Sequence, residues 1–242
     1  MDNQNFFEKM HQRIEKHGLL CHPFYRAWSA GELTQCDLRE YSAQYYHHVA
    51  AFPTYLSAFH SRLTDGELRR AVLHNLCEEE IDGVAHSELW LDFAEGMGNR
   101  REDVRKGKAI DQIRNLMDTF HRIVRENSPA EILAAFYAYE SQVPQIANVK
   151  ERGLREIYGA DERSSTYFTL HKTADIYHAR VWGEHLEHVL EGNPEVAVKA
   201  LNAAGEAAKA LWNGLDGIEE RRNALRNQSV GLLHASVARM KM

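Results

Sequence analysis

The octapeptide HKTADIYH, residues 171–178, carries His171, Asp175 and His178. An α-helix turns once in about 3.6 residues, so positions i, i+4 and i+7 lie on one face and direct two imidazoles and a carboxylate the same way. A second stretch, EEEIDGVAH (78–86), places Glu79 and His86 seven residues apart with Asp82 between them. A third, EILAAFYAYESQVP, ends an apolar stripe of Leu133, Phe136 and Tyr137 on Glu140. A carboxylate on the inward face of a helix is costly unless it is paired or ligated. Three carboxylates and three imidazoles suit two divalent first-row metals such as iron or manganese. Carboxylates can bridge such a pair while imidazoles bind terminally and leave positions open for O2. Each residue alone also has a plainer reading. A lone histidine is usually satisfied or exposed, a run of three glutamates is usually a solvated face, and Glu140 can cap a helix or pair with an arginine.

The elements that must position these groups read as helices throughout. Helical spacing and breakers predict seven, at about 4–17, 36–62, 67–95, 107–126, 130–158, 162–191 and 195–226. Ser128-Pro129-Ala130-Glu131 has the form of a capping box with proline at the first helical position. Thr34 and Asp37 mark another start, and Gly192-Asn193-Pro194 an end followed by a start. No period-2 run with flanking turns suggests a strand, and no linker or repeat suggests a second domain. The expectation is an all-α protein, one compact helical bundle over residues 1–242, whose core is where metal sites of this kind are built.

Composition narrows the function. A net charge of -6 leaves no footprint for nucleic acid or an anionic membrane surface. No apolar run approaches the ~20 residues of a membrane span, and the N-terminus lacks the basic-then-apolar order of a signal peptide. Three cysteines without a CxxC pair point to a reducing cytoplasm. A ferritin-like bundle would require two Glu-x-x-His motifs. The chain has one, Glu8 with His11, near its N-terminus, so that fold is disfavoured.

The order Glu-x6-His, then Glu, then His-x3-Asp-x2-His resembles that of the haem-oxygenase-like diiron oxidases and oxygenases. Within that superfamily HPFYRAW, EEEIDGVAHSELW and HKTADIYHAR are most similar to the chlamydial protein associating with death domains and its bacterial relatives, a family of self-sacrificing 4-aminobenzoate synthases. The pyrroloquinoline quinone synthases are more distant kin. The resemblance implies a haem-oxygenase-like fold and metal ligation by Glu79, His86, Glu140, His171, Asp175 and His178. The centre would be two irons or an iron–manganese pair, with O2 and an external reductant as co-substrates. It also implies that Tyr25 is the internal substrate, that Lys150 gives the amino nitrogen, that Tyr41 assists as a relay, and that the product feeds folate synthesis. A homodimer is expected on the same ground.

Read from the residues alone, Tyr25 beside Pro23, Phe24 and Trp28 passes as a core aromatic and Lys150 as a surface charge. In a straight helix Lys150 would lie about 15 Å beyond Glu140 and ~80° off its face, although Pro144 should kink or break that helix. Tyr45 belongs with Tyr41 on an aromatic face. His47, His48, His185 and His188 are expected at the surface or behind the ligands. Two other functions stay open at this point: an oxidase of the same fold acting on an external small molecule, and a binding or signalling protein. Six ligands argue against a metal-free enzyme, and no docking motif is recognisable.

Overall fold

The computed structural model describes residues 2–190 and 194–240. Among them the secondary structure is entirely helical: α1 (Asn3–Glu15), a 3-10 turn (Leu19–Cys21), α2 (Pro23–Ala30), α3 (Gln35–Arg62), α4 (Glu67–Glu80), α5 (His86–Gly96), α6 (Arg101–Lys106), α7 (Asp111–Glu126), α8 (Pro129–Glu140), α9 (Val143–Glu156), α10 (Glu162–Leu190) and α11 (Pro194–Met240). None of these is long and apolar enough to cross a membrane. The break expected around Gly192 lies outside the described residues.

The seven expected helices are present, with two refinements. The tract at 67–95 is two helices, because the chain leaves α-geometry at Ile81–Ala85, where Gly83 adopts φ +98, a left-handed conformation that glycine tolerates. The tract at 130–158 is also two. α8 ends at Glu140, and α9 restarts with Pro144 in its first turn, where the missing N–H costs nothing. The short α2 and α6 complete the set. Two of the anticipated starts are capped as expected. Thr34 and Asp37 exchange hydrogen bonds at the head of α3 (2.8 and 3.2 Å), and the Ser128 N–H donates to the Glu131 carboxylate at 3.0 Å.

α8 explains why a centre can sit inside the bundle. Its sequence, PAEILAAFYAYE, buries nearly every side chain from Ala130 to Glu140, as an all-round apolar helix must. α10 and α11 pack against it, and α10 also packs on α5 and α9. α4 and α5 lie along α3, across from α10. The ends of α4, α5 and α8 therefore converge on the middle of α10. α2 meets α9 and α11 at the neighbouring end of the core.

Candidate metal centre and the buried tyrosine–lysine cluster

The six residues expected as ligands come together as two triads. Glu79, His86 and His171 place one donor atom each within 4.8 Å of one another, and so do Glu140, Asp175 and His178. All six are buried, Glu140 to 1% exposure. Glu79 closes α4 and His86 opens α5, so the pair meets across the Ile81–Ala85 break rather than along one helix face. Asp82, between them in sequence, is exposed in that break and takes no part. α10 serves both triads, and the His86 and His171 rings, 4.6 Å apart, stand edge to face on one side.

Neighbouring groups fix which atoms point inward. His171 Nδ1–H donates to the Tyr167 carbonyl at 2.7 Å, which leaves Nε2 with the lone pair. His178 Nε2–H donates to Glu78 at 2.8 Å, so Nδ1 is the ring nitrogen left to face the centre. Trp182 Nε1–H donates to Glu140 Oε2, and Asn75 lies 3.5 Å from Oε1. Glu78, Asn75 and Trp182 were not anticipated, although Asn75 lies four residues before Glu79 and Trp182 four after His178, each on the same helix face as that ligand while reaching across to Glu140.

The donor set fits divalent cations. His86 Nδ1, His178 Nδ1 and Asp175 Oδ2 are buried without an aligned hydrogen bond, although His86 Nδ1 lies 3.0 Å from Glu79 Oε2 and His178 Nδ1 3.7 Å from Asp175 Oδ1. Native interiors seldom leave such atoms unsatisfied unless something ligates them. Burial raises the Glu140 carboxyl to about 8. Burial opposes charge on His178, but Asp175, Glu140 and Glu78 outweigh it and hold the imidazolium at about 10. The His178 shift reports a pocket whose carboxylates favour positive charge, and metal binding would displace the protons on both groups.

A second buried cluster lies beside the first. Tyr25 on α2, Tyr41 on α3 and Lys150 on α9 are each at most 4% exposed. Lys150 Nζ donates to Tyr25 Oη at 2.8 Å and also to Tyr41 Oη, and the two hydroxyls are 3.1 Å apart. The amine lies 4.4 Å from the centre of the Tyr25 ring. Burial drives the Lys150 pKa well down and both phenol pKa values well up, which favours the uncharged form of all three groups. The surface-charge reading of Lys150 is thereby corrected: the α8–α9 break re-aims its helix at Tyr25. Gly153, one turn along, allows the approach, since a Cβ there would lie 2.6 Å from Trp28 Nε1.

The two clusters share a wall of aromatic rings. Centroids run Tyr25 to Tyr41 (6.3 Å), Tyr41 to Trp90 (5.8 Å), Trp90 to Tyr167 (4.9 Å) and Tyr167 to His171 (4.0 Å, stacked). Tyr45 stacks on Tyr41 at 5.4 Å. Between the wall and Lys150 lies a cavity of about 20 Å³ open to the centre of a water-sized sphere. Of the other histidines, His48 is buried among Tyr45, Tyr55, Phe120 and Tyr139, while His47 and His185 are half-buried and His188 exposed. His11, of the Glu-x-x-His motif, is exposed and bonds Tyr137 Oη at 2.8 Å.

Residues 39–212 match the sequence model of a haem-oxygenase-like family described as iron-containing redox enzymes. A 4-aminobenzoate synthase of Nitrosomonas europaea is 39% identical, over 91% of this chain and 93% of the relative. A protein of the same name from Chlamydia pneumoniae is 37% identical, over 87% and 93%. A solved structure from Shewanella denitrificans, described as a domain of unknown function with a haem-oxygenase-like fold, superposes with a TM-score of 0.78 at 18% identity, over 93% and 95% of the two chains. That likeness concerns the fold alone. The chain thus belongs to the haem-oxygenase-like family of iron-containing redox enzymes, in the branch that holds the 4-aminobenzoate synthases.

Proposed function

We propose that the protein forms 4-aminobenzoate from its own Tyr25, once per chain, with Lys150 as the amino donor. The observation that carries this reading is the position of Lys150 Nζ, 2.8 Å from the phenol oxygen of Tyr25. 4-Aminobenzoate bears nitrogen where tyrosine bears that oxygen, and a carboxyl where tyrosine bears Cβ. Burial lowers the pKa of the amine and so favours the uncharged form, whose lone pair is nucleophilic. A cavity of about 20 Å³ has no room for an external aromatic substrate beside Tyr25, which favours an internal one.

Glu79, His86 and His171 would hold one metal, and Glu140, Asp175 and His178 the other. Two divalent metals, iron with iron or with manganese, supply when bound the redox chemistry that O2 and an external reductant require. The protein's own contributions are positional. Tyr167 O, Glu78, Trp182 and Asn75 orient the ligands. Tyr41 holds the Tyr25 hydroxyl and the amine together. The rings of Tyr41, Trp90 and Tyr167 form a contiguous path for oxidising equivalents between the centre and Tyr25.

The test is isotopic. Protein carrying ring-labelled tyrosine and ε-15N lysine, loaded with Fe(II) and given O2 and reductant, should release 4-aminobenzoate bearing both labels. Product with an unlabelled ring would overturn the internal substrate. Product with a labelled ring and unlabelled nitrogen would overturn Lys150 as donor.

A further inference from the structure

Tyr25 and Lys150 are sealed in, yet an aromatic product cannot pass through a cavity with room for little more than one water. Next to that cavity lies a groove of about 470 Å³, lined by α1, the 3-10 turn, the end of α8 and the start of α9. Two residues, Leu19 and Ile146, line both the groove and the cavity. They are buried to 1% and 6% exposure and form the partition between them.

The partition is lightly held on the Leu19 side. Leu19 belongs to the 3-10 turn Leu19–Cys21, and 3-10 geometry makes poorer hydrogen bonds than α. Cys21 at its far end is exposed. The Leu19 N–H donates to Gln142 Oε1 at 3.0 Å, and the same amide donates from Nε2 to the Ala138 carbonyl at 2.8 Å. Gln142 stands in the break between α8 and α9. One side chain thus latches the turn to the helix end that carries Glu140, and α2 with Tyr25 follows the turn directly.

We infer that Leu19 and Ile146 are the gate of the Tyr25–Lys150 chamber, latched by Gln142, and that a small aromatic carboxylate leaves through it into the groove of His11, Tyr137, Ser141 and Gln145. The identity of what leaves rests on the proposed reaction; the position of the gate does not. A second shallow pocket, formed by Ala71, His74, Asn75, Tyr177, His178, Val181 and Trp182, lies on the metal side and is the competing route.

The experiment follows access to Lys150 rather than turnover. Metal-free full-length protein is treated with phenyl acetate, a neutral aromatic ester about the size of the product, and acetylation of Lys150 is timed by peptide mass spectrometry against the exposed Lys106. Acetylation requires the amine to reach the ester carbonyl as phenolate departs, so its rate reports opening of the chamber. Leu19→Ala and Gln142→Ala should each accelerate Lys150 labelling by about tenfold or more relative to Lys106. Val181→Ala, which widens the metal-side pocket, should leave the rate unchanged. Ile14→Ala, which removes apolar volume from the groove but not from the partition, should also leave it unchanged. Equal rates in Leu19→Ala and the parent chain, an equal rise in Ile14→Ala, or a rise confined to Val181→Ala would each overturn the assignment. A chain that never consumes Tyr25 can still show this gate, so failure of the proposed reaction and failure of the gate are distinguishable.

Discussion

Replacing Lys150 by methionine should stabilise the metal-free protein while abolishing product. Lys150 is 4% exposed with two phenol hydroxyls as hydrogen-bond partners, and burial holds its folded pKa well below the unfolded value. Between those two pKa values the unfolded chain binds a proton that the folded chain does not. Stability therefore rises with pH across that window, by up to about 1.4 kcal/mol per unit, and levels off near the unfolded pKa of about 10.4. At lower pH the folded state bears the cost of discharging the amine. Methionine has nearly the same length and no such cost. What it loses is the amine's hydrogen bonds, worth about 1 kcal/mol each. The Tyr25 and Tyr41 hydroxyls, 3.1 Å apart, can still bond each other, so neither is orphaned. The discharge cost exceeds this loss once the pKa is lowered by more than about two units. The assay is urea unfolding of both chains at intervals from pH 6 to 10, read as a difference so that the carboxylates and histidines cancel. Lys150→Met should be the more stable chain at pH 7, with the gap narrowing as pH rises. A difference that does not change between pH 7 and 10 would mean that Lys150 keeps its proton in the fold and would refute the neutral amine.

Three further outcomes follow from the geometry. His178→Ala and Glu140→Ala each dismantle one triad, so metal content should fall from about two to about one per chain by elemental analysis, with helicity retained and product lost; full activity in a chain with one metal or none would contradict the two-triad site. Glu78→Gln weakens the acceptor that sets the His178 tautomer and should lower metal affinity by about 10–100-fold, most of it at the Glu140 triad; an unchanged titration would remove Glu78 from the centre. Gly153→Ala forces a Cβ to within 2.6 Å of Trp28 Nε1, so α9 must shift. That should cost about 1–3 kcal/mol in urea unfolding and reduce product while metal binding stays intact; an equal loss of both would show that the shift is not confined to Lys150.

Much of this was legible from spacing. His171, Asp175 and His178 share a face at i, i+4 and i+7 on an unbroken α10, and Glu140 stood out as a carboxylate on an apolar stripe. The Ile81–Ala85 break was hidden, because Ile81 and Val84 continue the apolar spacing although both are exposed, at 70% and 57%. Glu78 looked like one of three solvated glutamates, and its contact with His178 spans a hundred residues of sequence. Lys150 was illegible for another reason. Its burial depends on a helix break and on a glycine meeting Trp28 of a distant helix, neither of which has a period. The role proposed for it comes only from family resemblance.

The central claim is that Tyr25 is the substrate, and the most direct test is peptide mass spectrometry of the chain before and after Fe(II), O2 and reductant. The account predicts loss of the side-chain mass at Tyr25, with an equimolar amount of 4-aminobenzoate in the filtrate and no second turnover. An intact Tyr25 in a metal-loaded protein that consumes O2 and releases 4-aminobenzoate would contradict it.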